Sequence, residues 1–361
     1  INRNFISPEA AKLDYLQFKN DIVFIVSGTN KPDNKNYPKK IGAPADSINS
    51  IVVNSVDFSN QPAEYSREGP VLSFFNKPDL CYYGGTYEDR LTVYAPYGKK
   101  KTFGTSFAAP WITRKMAYLI YKMGFTKEAA KALLIDSAAG WKKFNSPTTI
   151  AGYGVVPKKI ENIIQSENDE IRFVISDKSL LYDTYNYNIP VPIYQETQPF
   201  IAKATLCYFP NCSRNQGVDY TDTELDLHFG RIKDNGIKSI DNNIQNDGSR
   251  CFLKEAKARA LFRKWDNIKL IGEELKDTPR ARKVYDDGRW GISLKTKERL
   301  YGNYGRGLPF GVVITLKEIN GQNRLEEFIR LCSLRGWLVN RINIENQIEI
   351  FNKAEQDVEF E

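Results

Sequence analysis

Hydrophobic and polar positions along the first 165 residues follow a pattern typical of an α/β fold. Ser7-Pro8-Glu9, ahead of a helical apolar spacing, predicts a helix with Ser7 as its N-cap and Pro8 at its first position. The unbroken apolar run at 22–26 and a second apolar segment at 50–56 predict strands buried on both faces, as in a parallel sheet. The pattern further predicts a short strand at 91–94 and helices over 106–123 and 127–137, the last of them amphipathic.

The character of the sequence changes between residues 150 and 170. Beyond this boundary, helical spacing is limited to 251–264 and 324–332. The remaining apolar segments have the length of strands and lie at 171–176, 189–193, 202–209, 224–229, 290–294, 311–316 and 338–351. We therefore predict two domains, an α/β domain over 1–165 and a domain over 170–361 that is dominated by antiparallel strands.

Composition and charge exclude several classes of protein. The chain has 26% charged and 41% hydrophobic residues, as soluble globular proteins do, and a formal net charge of +7. Its basic residues are scattered apart from Lys99-Lys100-Lys101, and no nucleic-acid motif accompanies them. No apolar stretch approaches the roughly 20 residues that a membrane span needs. We therefore predict neither a nucleic-acid partner nor a membrane.

The cysteines are few, and their spacing is irregular. There are five, an odd number, and no Cys-x-x-Cys pair occurs among Cys81, Cys207, Cys212, Cys251 and Cys332. This spacing argues against zinc and favours free thiols in a reducing compartment. We predict no metal, no cofactor and a cytoplasmic location, with secretion or a periplasmic location as the alternative.

The segment 104–110, Gly-Thr-Ser-Phe-Ala-Ala-Pro, carries the most chemical information. A serine in the first turn of a helix presents its hydroxyl where unpaired N–H groups and the helix dipole favour developing negative charge. Gly104 permits a tight turn and the close approach of a substrate backbone. Pro110 is expected in the first turns, where a missing N–H costs least. From spacing alone, a serine cap on an ordinary core helix is an equally good interpretation.

This segment resembles the nucleophile motif of the subtilisin-like serine proteases, the subtilases. Four further segments resemble the family in the family's order: 22–30, a strand leading to the oxyanion-hole asparagine; 42–57, a substrate-pocket segment and core strand; 66–80; and 152–156. The resemblance covers about residues 1–165. It implies part of a parallel-sheet subtilase domain, followed by an appended region similar to the β-sandwich or jelly-roll domains of some subtilases.

The resemblance also implies roles for individual residues. Ser106 would be the nucleophile, and Asn30 would donate its side-chain amide to the oxyanion. The residues beside them would line the substrate site, namely Ser27, Gly28, Thr29, Gly104 and Thr105.

The sequence departs from the family pattern in two places, before Asn30 and after Pro110. Thr29 stands where the family usually has glycine, and Trp111 and Arg114 replace residues that are usually small or polar. Either departure is compatible with a narrow specificity or with degraded activity.

The resemblance leaves the catalytic triad incomplete. In subtilases the order along the chain is Asp, His, Ser, whereas the single histidine here, His228, follows Ser106. We expect His228 to be an ordinary strand or loop histidine. Either the N-terminal half of the protease domain, with Asp and His, precedes this sequence, or the protein is a pseudoenzyme. The absence of an initiator Met and the helix at residue 7 favour the first interpretation.

These observations lead to two competing functional hypotheses. In the first, the parent protein is a serine endopeptidase that cleaves protein or peptide substrates, and this chain alone is inactive. Its partner would be the missing N-terminal half of the domain. The layout is also similar to intracellular bacterial subtilases, some of which act with an AAA-type ATPase. In the second hypothesis, the chain is a non-catalytic binding or scaffolding protein with a subtilase fold.

Overall fold

A computed structural model describes residues 5–32, 39–141, 148–179, 184–234, 236–240, 259, 263–299 and 307–339. The protein is a mixed α/β structure whose first region is built around a parallel sheet. This sheet has three strands in the order β1-β2-β3: β1 (Ile25–Ser27), β2 (Ile51–Val56) and β3 (Leu80–Tyr83). The central strand β2 is fully buried, as its apolar run predicts. The edge strand β1 is only half-buried, which differs from the prediction, because it has a strand neighbour on one side alone within the described residues.

The helices of the first region follow the predicted pattern. Ser7 Oγ accepts a hydrogen bond from Ala10 N at 3.2 Å, which confirms the predicted N-cap. A hairpin of two short strands precedes the second helix, β4 (Leu91–Ala95) and β5 (Gly98–Thr102). The helices of this region are α1 (Pro8–Lys19), α2 (Thr105–Tyr121), α3 (Lys127–Ala139), α4 (Thr148–Ala151) and α5 (Glu161–Ile164).

The helix α3 is buried on every side over residues 127–136, although its sequence predicts an amphipathic helix. Strands from the second half of the chain cover the face that would otherwise meet solvent. Leu133 therefore packs in one hydrophobic cluster with Ile51 of the parallel sheet and with Cys207 and Val313 of the second region. The polar side chains on α3 are buried along with the apolar ones and need hydrogen-bond partners. Lys127 and Lys131 donate to backbone carbonyls of the first region, at Gln17 and Asn49.

The second region consists mainly of two four-stranded antiparallel sheets, neither of which continues the parallel sheet. Their inner faces share a hydrophobic cluster that includes Phe200, Leu227, Trp290 and Phe310. The first sheet has the order β12-β9-β15-β6, and the second the order β11-β10-β14-β7. A two-stranded sheet and a helix complete the region. The bounds are β6 (Glu170–Ser179), β7 (Thr184–Pro190), β8 (Thr197–Gln198), β9 (Phe200–Tyr208), β10 (Thr223–Lys233), β11 (Gly236–Ser239), β12 (Ile268–Gly272), β13 (Arg282–Lys283), β14 (Arg289–Glu298), β15 (Leu308–Glu318) and α6 (Leu325–Leu334).

Most strands lie where the sequence pattern predicts them. The predicted helix over 251–264 and most of the predicted strand over 338–351 fall outside the described residues. The helix α6 confirms the prediction at 324–332. The division into domains at 1–165 and 170–361 stays a prediction.

Buried polar contacts join the two regions. On α1, Asp14 is fully buried and accepts a hydrogen bond from Tyr220 Oη at 2.6 Å. On α3, Asp136 accepts hydrogen bonds from Thr205 at 2.9 Å and Thr315 at 3.0 Å, and Lys203 Nζ lies 3.3 Å from its carboxylate. The strands of the second region therefore supply the polar partners that the buried Asp136 of α3 requires.

Candidate functional site

Ser106 is the second residue of α2, at the N-terminus of the helix. Gly104 is the N-cap, and the Ser106 side chain is exposed, whereas Thr105 is buried beside it. The N–H groups of a first helical turn have no intrahelical partners, and the helix dipole is positive there. The hydroxyl therefore lies at a surface where backbone donors can meet an anion.

The backbone before Ser106 adopts a conformation that requires glycine. Gly104 has φ of +151°, and a Cβ there would lie 3.1 Å from Asn30 Nδ2. Its N–H donates to Gly84 O at 2.9 Å, which anchors the turn. The Phe103 ring packs 5.0 Å from Tyr65 and 4.6 Å from Tyr87, between ring centroids. The turn into α2 is therefore fixed on both sides of Gly104.

Asn30 lies next to this turn and is held by it. Its Oδ1 accepts one hydrogen bond from Thr105 N at 3.1 Å and another from Thr105 Oγ1 at 2.9 Å. These two contacts orient the side-chain amide, so that Nδ2 lies on the Gly104 side. The structure thus brings together four of the predicted site residues: Asn30, Gly104, Thr105 and Ser106.

The segment leading to Asn30 contains a strained residue. Thr29 has φ of +67°, in the left-handed region that a β-branched residue rarely adopts. Its Oγ1 donates a hydrogen bond to Gly28 O at 2.6 Å. The family's glycine at this position would adopt the same conformation without strain.

The other two predicted site residues, Ser27 and Gly28, position the turn rather than join the cluster around Ser106. Ser27 ends β1 and pairs with Val53 of β2. Gly28 N donates to Val53 O at 2.8 Å, and a Cβ on Gly28 would lie 1.9 Å from Asn54 Oδ1. Only glycine fits so close to β2, so this position fixes where the chain leaves the sheet.

Residues 65–67 support Asn30, and the sequence did not identify them as part of the site. Arg67 Nε donates to Asn30 O at 3.3 Å, and Arg67 N donates to Thr29 O at 3.2 Å. Tyr65 Oη lies 2.8 Å from Ser55 Oγ and 2.6 Å from Gly85 O, and both oxygens can accept its hydrogen bond. Burial raises the pKa of the Tyr65 phenol to about 12, so it stays a neutral donor. Ser66 and Arg67 lie within the segment at 66–80 that resembles the family, which was the available signal.

Pro110, after the nucleophile, lies further into the helix than the sequence pattern predicts. Pro110 is the sixth residue of α2, so its missing N–H falls beyond the first turn. In an uninterrupted helix that N–H would bond to the carbonyl of Ser106. The Arg114 guanidinium lies over the Trp111 ring, 5.9 Å from its centroid. The two bulky residues that depart from the family pattern therefore contact each other in one cation–π pair.

His228 lies on β10, in one of the two antiparallel sheets of the second region. Its Nε2 is 3.8 Å from Asp226 Oδ2, and Lys297 Nζ is 3.1 Å from the same oxygen. Burial alone would raise the pKa of Asp226, but the hydrogen bond from His228 and the charge of Lys297 lower it to about 2. These contacts are those of a strand histidine within an ionic cluster.

Other groups in the described residues offer no alternative centre. Within the described ranges, no three His, Cys, Asp or Glu side chains converge as metal ligands. Four cysteines are free thiols, Cys81, Cys207, Cys212 and Cys332, while Cys251 lies outside the described residues. Burial raises the pKa of the Cys207 thiol to about 12, so this thiol is not a nucleophile at neutral pH. No helix in the described part of the chain is long and apolar enough to cross a bilayer.

Comparison with known proteins identifies the N-terminal part of the chain. Residues 2–155 match the model of the Subtilase family, and we therefore identify this part as subtilase-like. An uncharacterized protein of Sinorhizobium fredii, y4bN, is 27% identical over 295 residues, which cover 73% of this chain. The chain spans 65% of the length of that curated relative.

Two solved structures with similarity to this chain are those of proteases. One is the prenylagaramide maturation protease PagA, with 20% identity, a TM-score of 0.33, and coverage of 42% of this chain and 52% of PagA. Another is the epidermin leader peptide processing serine protease EpiP from Staphylococcus aureus, with 20% identity and a TM-score of 0.36. That match covers 44% of each chain.

Proposed function

We propose that the subtilase-like region carries the nucleophile and the oxyanion hole of a serine endopeptidase. Ser106 attacks the scissile carbonyl, and Asn30 together with the Ser106 N–H receives the oxyanion. The observation that carries this proposal is the double hydrogen bond from Thr105 to Asn30 Oδ1, because it places an oriented amide beside an exposed serine. The family match of residues 2–155 supports the same assignment.

The proposed reaction depends on the hydrogen-bond donors that can stabilise the oxyanion. Both contacts from Thr105 go to the amide oxygen of Asn30, and we propose that the Nδ2 protons are available to a substrate. A tetrahedral intermediate would then accept hydrogen bonds from Nδ2 and from the backbone at the start of α2. Collapse of the intermediate releases the leaving amine and forms an ester on Ser106, which water hydrolyses. Ser27, Gly28, Thr29 and Gly104 would line the path of the substrate backbone.

We propose that the general base comes from a segment outside these 361 residues. The single histidine, His228, lies on β10 and contacts Asp226. A serine without a base is a weak nucleophile at neutral pH, so we propose that the chain alone is inactive. The half-buried edge strand β1 is where a segment that carries Asp and His would extend the sheet, and its partly exposed Ile25 and Val26 suit such a partner.

A non-catalytic binding protein is the alternative, and Thr29 favours it. The left-handed φ of Thr29 places a β-branched side chain beside Asn30, where the family has glycine. A side chain there narrows the approach to the oxyanion hole. In this alternative the fold would bind a peptide without cleaving it.

We further propose that residues 170–361 form an accessory β-sandwich domain. Two four-stranded sheets that share a core support this assignment. The buried partners of Asp136 indicate that the domain also stabilises α3. An AAA-type ATPase partner remains an expectation from the resemblance, and a cytoplasmic location remains an expectation from the cysteine pattern.

Peptide hydrolysis tests the proposal. The 361-residue chain should not hydrolyse a peptide library, whereas the protein that includes the upstream Asp and His should. Ser106→Ala should abolish that hydrolysis, and Ser333→Ala, at an exposed serine of α6, should leave it unchanged. A longer protein that carries both residues, folds and still cleaves nothing would establish the binding alternative.

A further inference from the structure

Four basic side chains surround one tyrosine on the second region, far along the chain from the subtilase-like part. The charged groups of Arg231, Lys233, Lys238 and Lys283 lie 4.9, 5.8, 5.6 and 5.7 Å from the centroid of the Tyr285 ring. Single cation–aromatic contacts are common in proteins, about one per 70–80 residues, but four on one ring are a concentration of charge.

The fold brings these residues together from three chain segments. Arg231 and Lys238 are directly paired across β10 and β11, and Lys233 follows at the end of β10. Lys283 belongs to β13, and Arg231 Nη1 donates to its carbonyl oxygen at 2.7 Å. Because these are strand positions held by backbone pairing, the cluster is a feature of the sheet.

The positive charge is only partly offset among the described residues. Lys233 lies 3.5 Å from the exposed carboxylate of Asp234. The neighbouring Arg282 is paired with Glu273. The ion pairs found in the described ranges include none for Arg231, Lys238 or Lys283. Three positive charges therefore remain around one ring, and they repel each other until an anion arrives.

The accessibility of the cluster suits a ligand. Arg231 is 8% exposed, and its hydrogen bond to Lys283 O fixes the guanidinium at the base of the cluster. Lys233, Lys238 and Lys283 are exposed, so their ammonium groups can adjust around a bound group. The charge of Lys238, followed by that of Arg231 and Lys283, lowers the pKa of the Tyr285 phenol, which shows that the positive field reaches the ring.

We propose that this cluster is a binding site for a compact oxyanion of the phosphate class. All four charged groups lie within about 6 Å of the Tyr285 ring centroid, so one compact anion beside the ring could contact several of them, whereas an extended acidic peptide spreads its charges along the chain at about 3.3 Å per residue. A phosphate group concentrates two charges and several acceptor oxygens in one place. A fixed guanidinium with flexible lysines is the set of donors that phosphate recognition uses.

Calorimetry on the full chain tests the site with defined probes: inorganic phosphate, pyrophosphate, ADP and adenosine. We expect pyrophosphate and ADP to bind, with an affinity that falls as salt rises, and adenosine not to bind. The double variant K238Q/K283Q should weaken pyrophosphate binding at least about tenfold, which corresponds to ~1.4 kcal/mol. Lys295→Gln, at an exposed lysine of β14 outside the cluster, should bind as the unchanged protein does.

A second measurement does not depend on affinity alone. Pyrophosphate should raise the pKa of Tyr285, because a bound anion offsets the surrounding positive charge. The pKa is measured from tyrosinate absorbance, as the difference between the unchanged protein and Tyr285→Phe. Binding equal to that of the unchanged protein in K238Q/K283Q would overturn the proposal. So would the absence of binding at low salt, adenosine binding as well as ADP, or binding of polyglutamate alone.

Discussion

The strained residue beside the proposed oxyanion hole gives the sharpest test of the local structure. Thr29 has φ of +67°, in a region where the Cβ of any residue other than glycine meets the following carbonyl. We therefore compare two replacements, Thr29→Gly and Thr29→Ala. Both remove the hydrogen bond from Thr29 Oγ1 to Gly28 O, so the loss of this bond cancels in the comparison.

The expected difference follows from two opposing effects. A Cβ in the left-handed region costs about 1–2 kcal/mol, which alanine retains and glycine avoids. Glycine loses more backbone freedom on folding, which costs about 0.5–1 kcal/mol relative to alanine. Thr29→Gly should therefore be more stable than Thr29→Ala by about 0.5–1 kcal/mol. At an ordinary strand position the order is reversed, because only the second effect operates.

Urea denaturation measures both pairs under one condition. Thr92, exposed on β4 and without a positive φ, provides the matched control: Thr92→Ala should be more stable than Thr92→Gly. If alanine is as stable as glycine or more stable at position 29, the left-handed conformation is wrong, and with it the geometry that holds Asn30.

Three further predictions concern stability. Asp226→Asn should lower the free energy of unfolding by about 2 kcal/mol above pH 4. Because the folded pKa is lowered to about 2, this difference should be lost as pH falls from about 4 to 2, and a constant difference in pH-dependent denaturation would contradict the account. Gly28→Ala should lower the free energy of unfolding by about 1–3 kcal/mol, because its Cβ would lie 1.9 Å from an Asn54 oxygen. As the control, Gly236→Ala should lower it by under about 1 kcal/mol, because the nearest atom found among the described residues, Lys233 O, lies at 3.6 Å. Asp136→Ala should cost about 3–5 kcal/mol in urea unfolding, since it leaves the Lys203 ammonium buried without its carboxylate, and a loss below ~1 kcal/mol would show that the two regions are not joined there.

Local signals made much of the fold predictable. The cap at Ser7, the buried run of β2 and the helix that begins at Thr105 depend on neighbouring residues, and the structure has them where the sequence indicates. The exposure of β1 and the full burial of α3 were not predictable, because both depend on which elements pack against them. Periodicity describes one element and contains no information about a second layer.

In the candidate site, too, local signals were predictable from the sequence, whereas contacts between distant segments were not. The motif at 104–110 and the strand before Asn30 identified residues that the structure places together. The support from Arg67 and the left-handed conformation of Thr29 became visible only in three dimensions. The cluster around Tyr285 could not be recognised from the sequence, because its charged residues come from three chain segments. Arg231 and Lys283 are 52 residues apart, so no local stretch of sequence contains all four charges.

The most direct test of the central claim is the site of fluorophosphonate modification in a longer protein that includes the proposed upstream Asp and His. Trypsin cleaves after Lys101 and Arg114, so the peptide 102–114 contains Ser106 and no other serine. We predict that mass spectrometry finds the adduct on Ser106, that Ser106→Ala abolishes it, and that Asn30→Ala slows it by about 10²–10³. A peptidase-active protein whose peptide 102–114 stays unmodified, or one labelled equally after Ser106→Ala, would contradict the assignment.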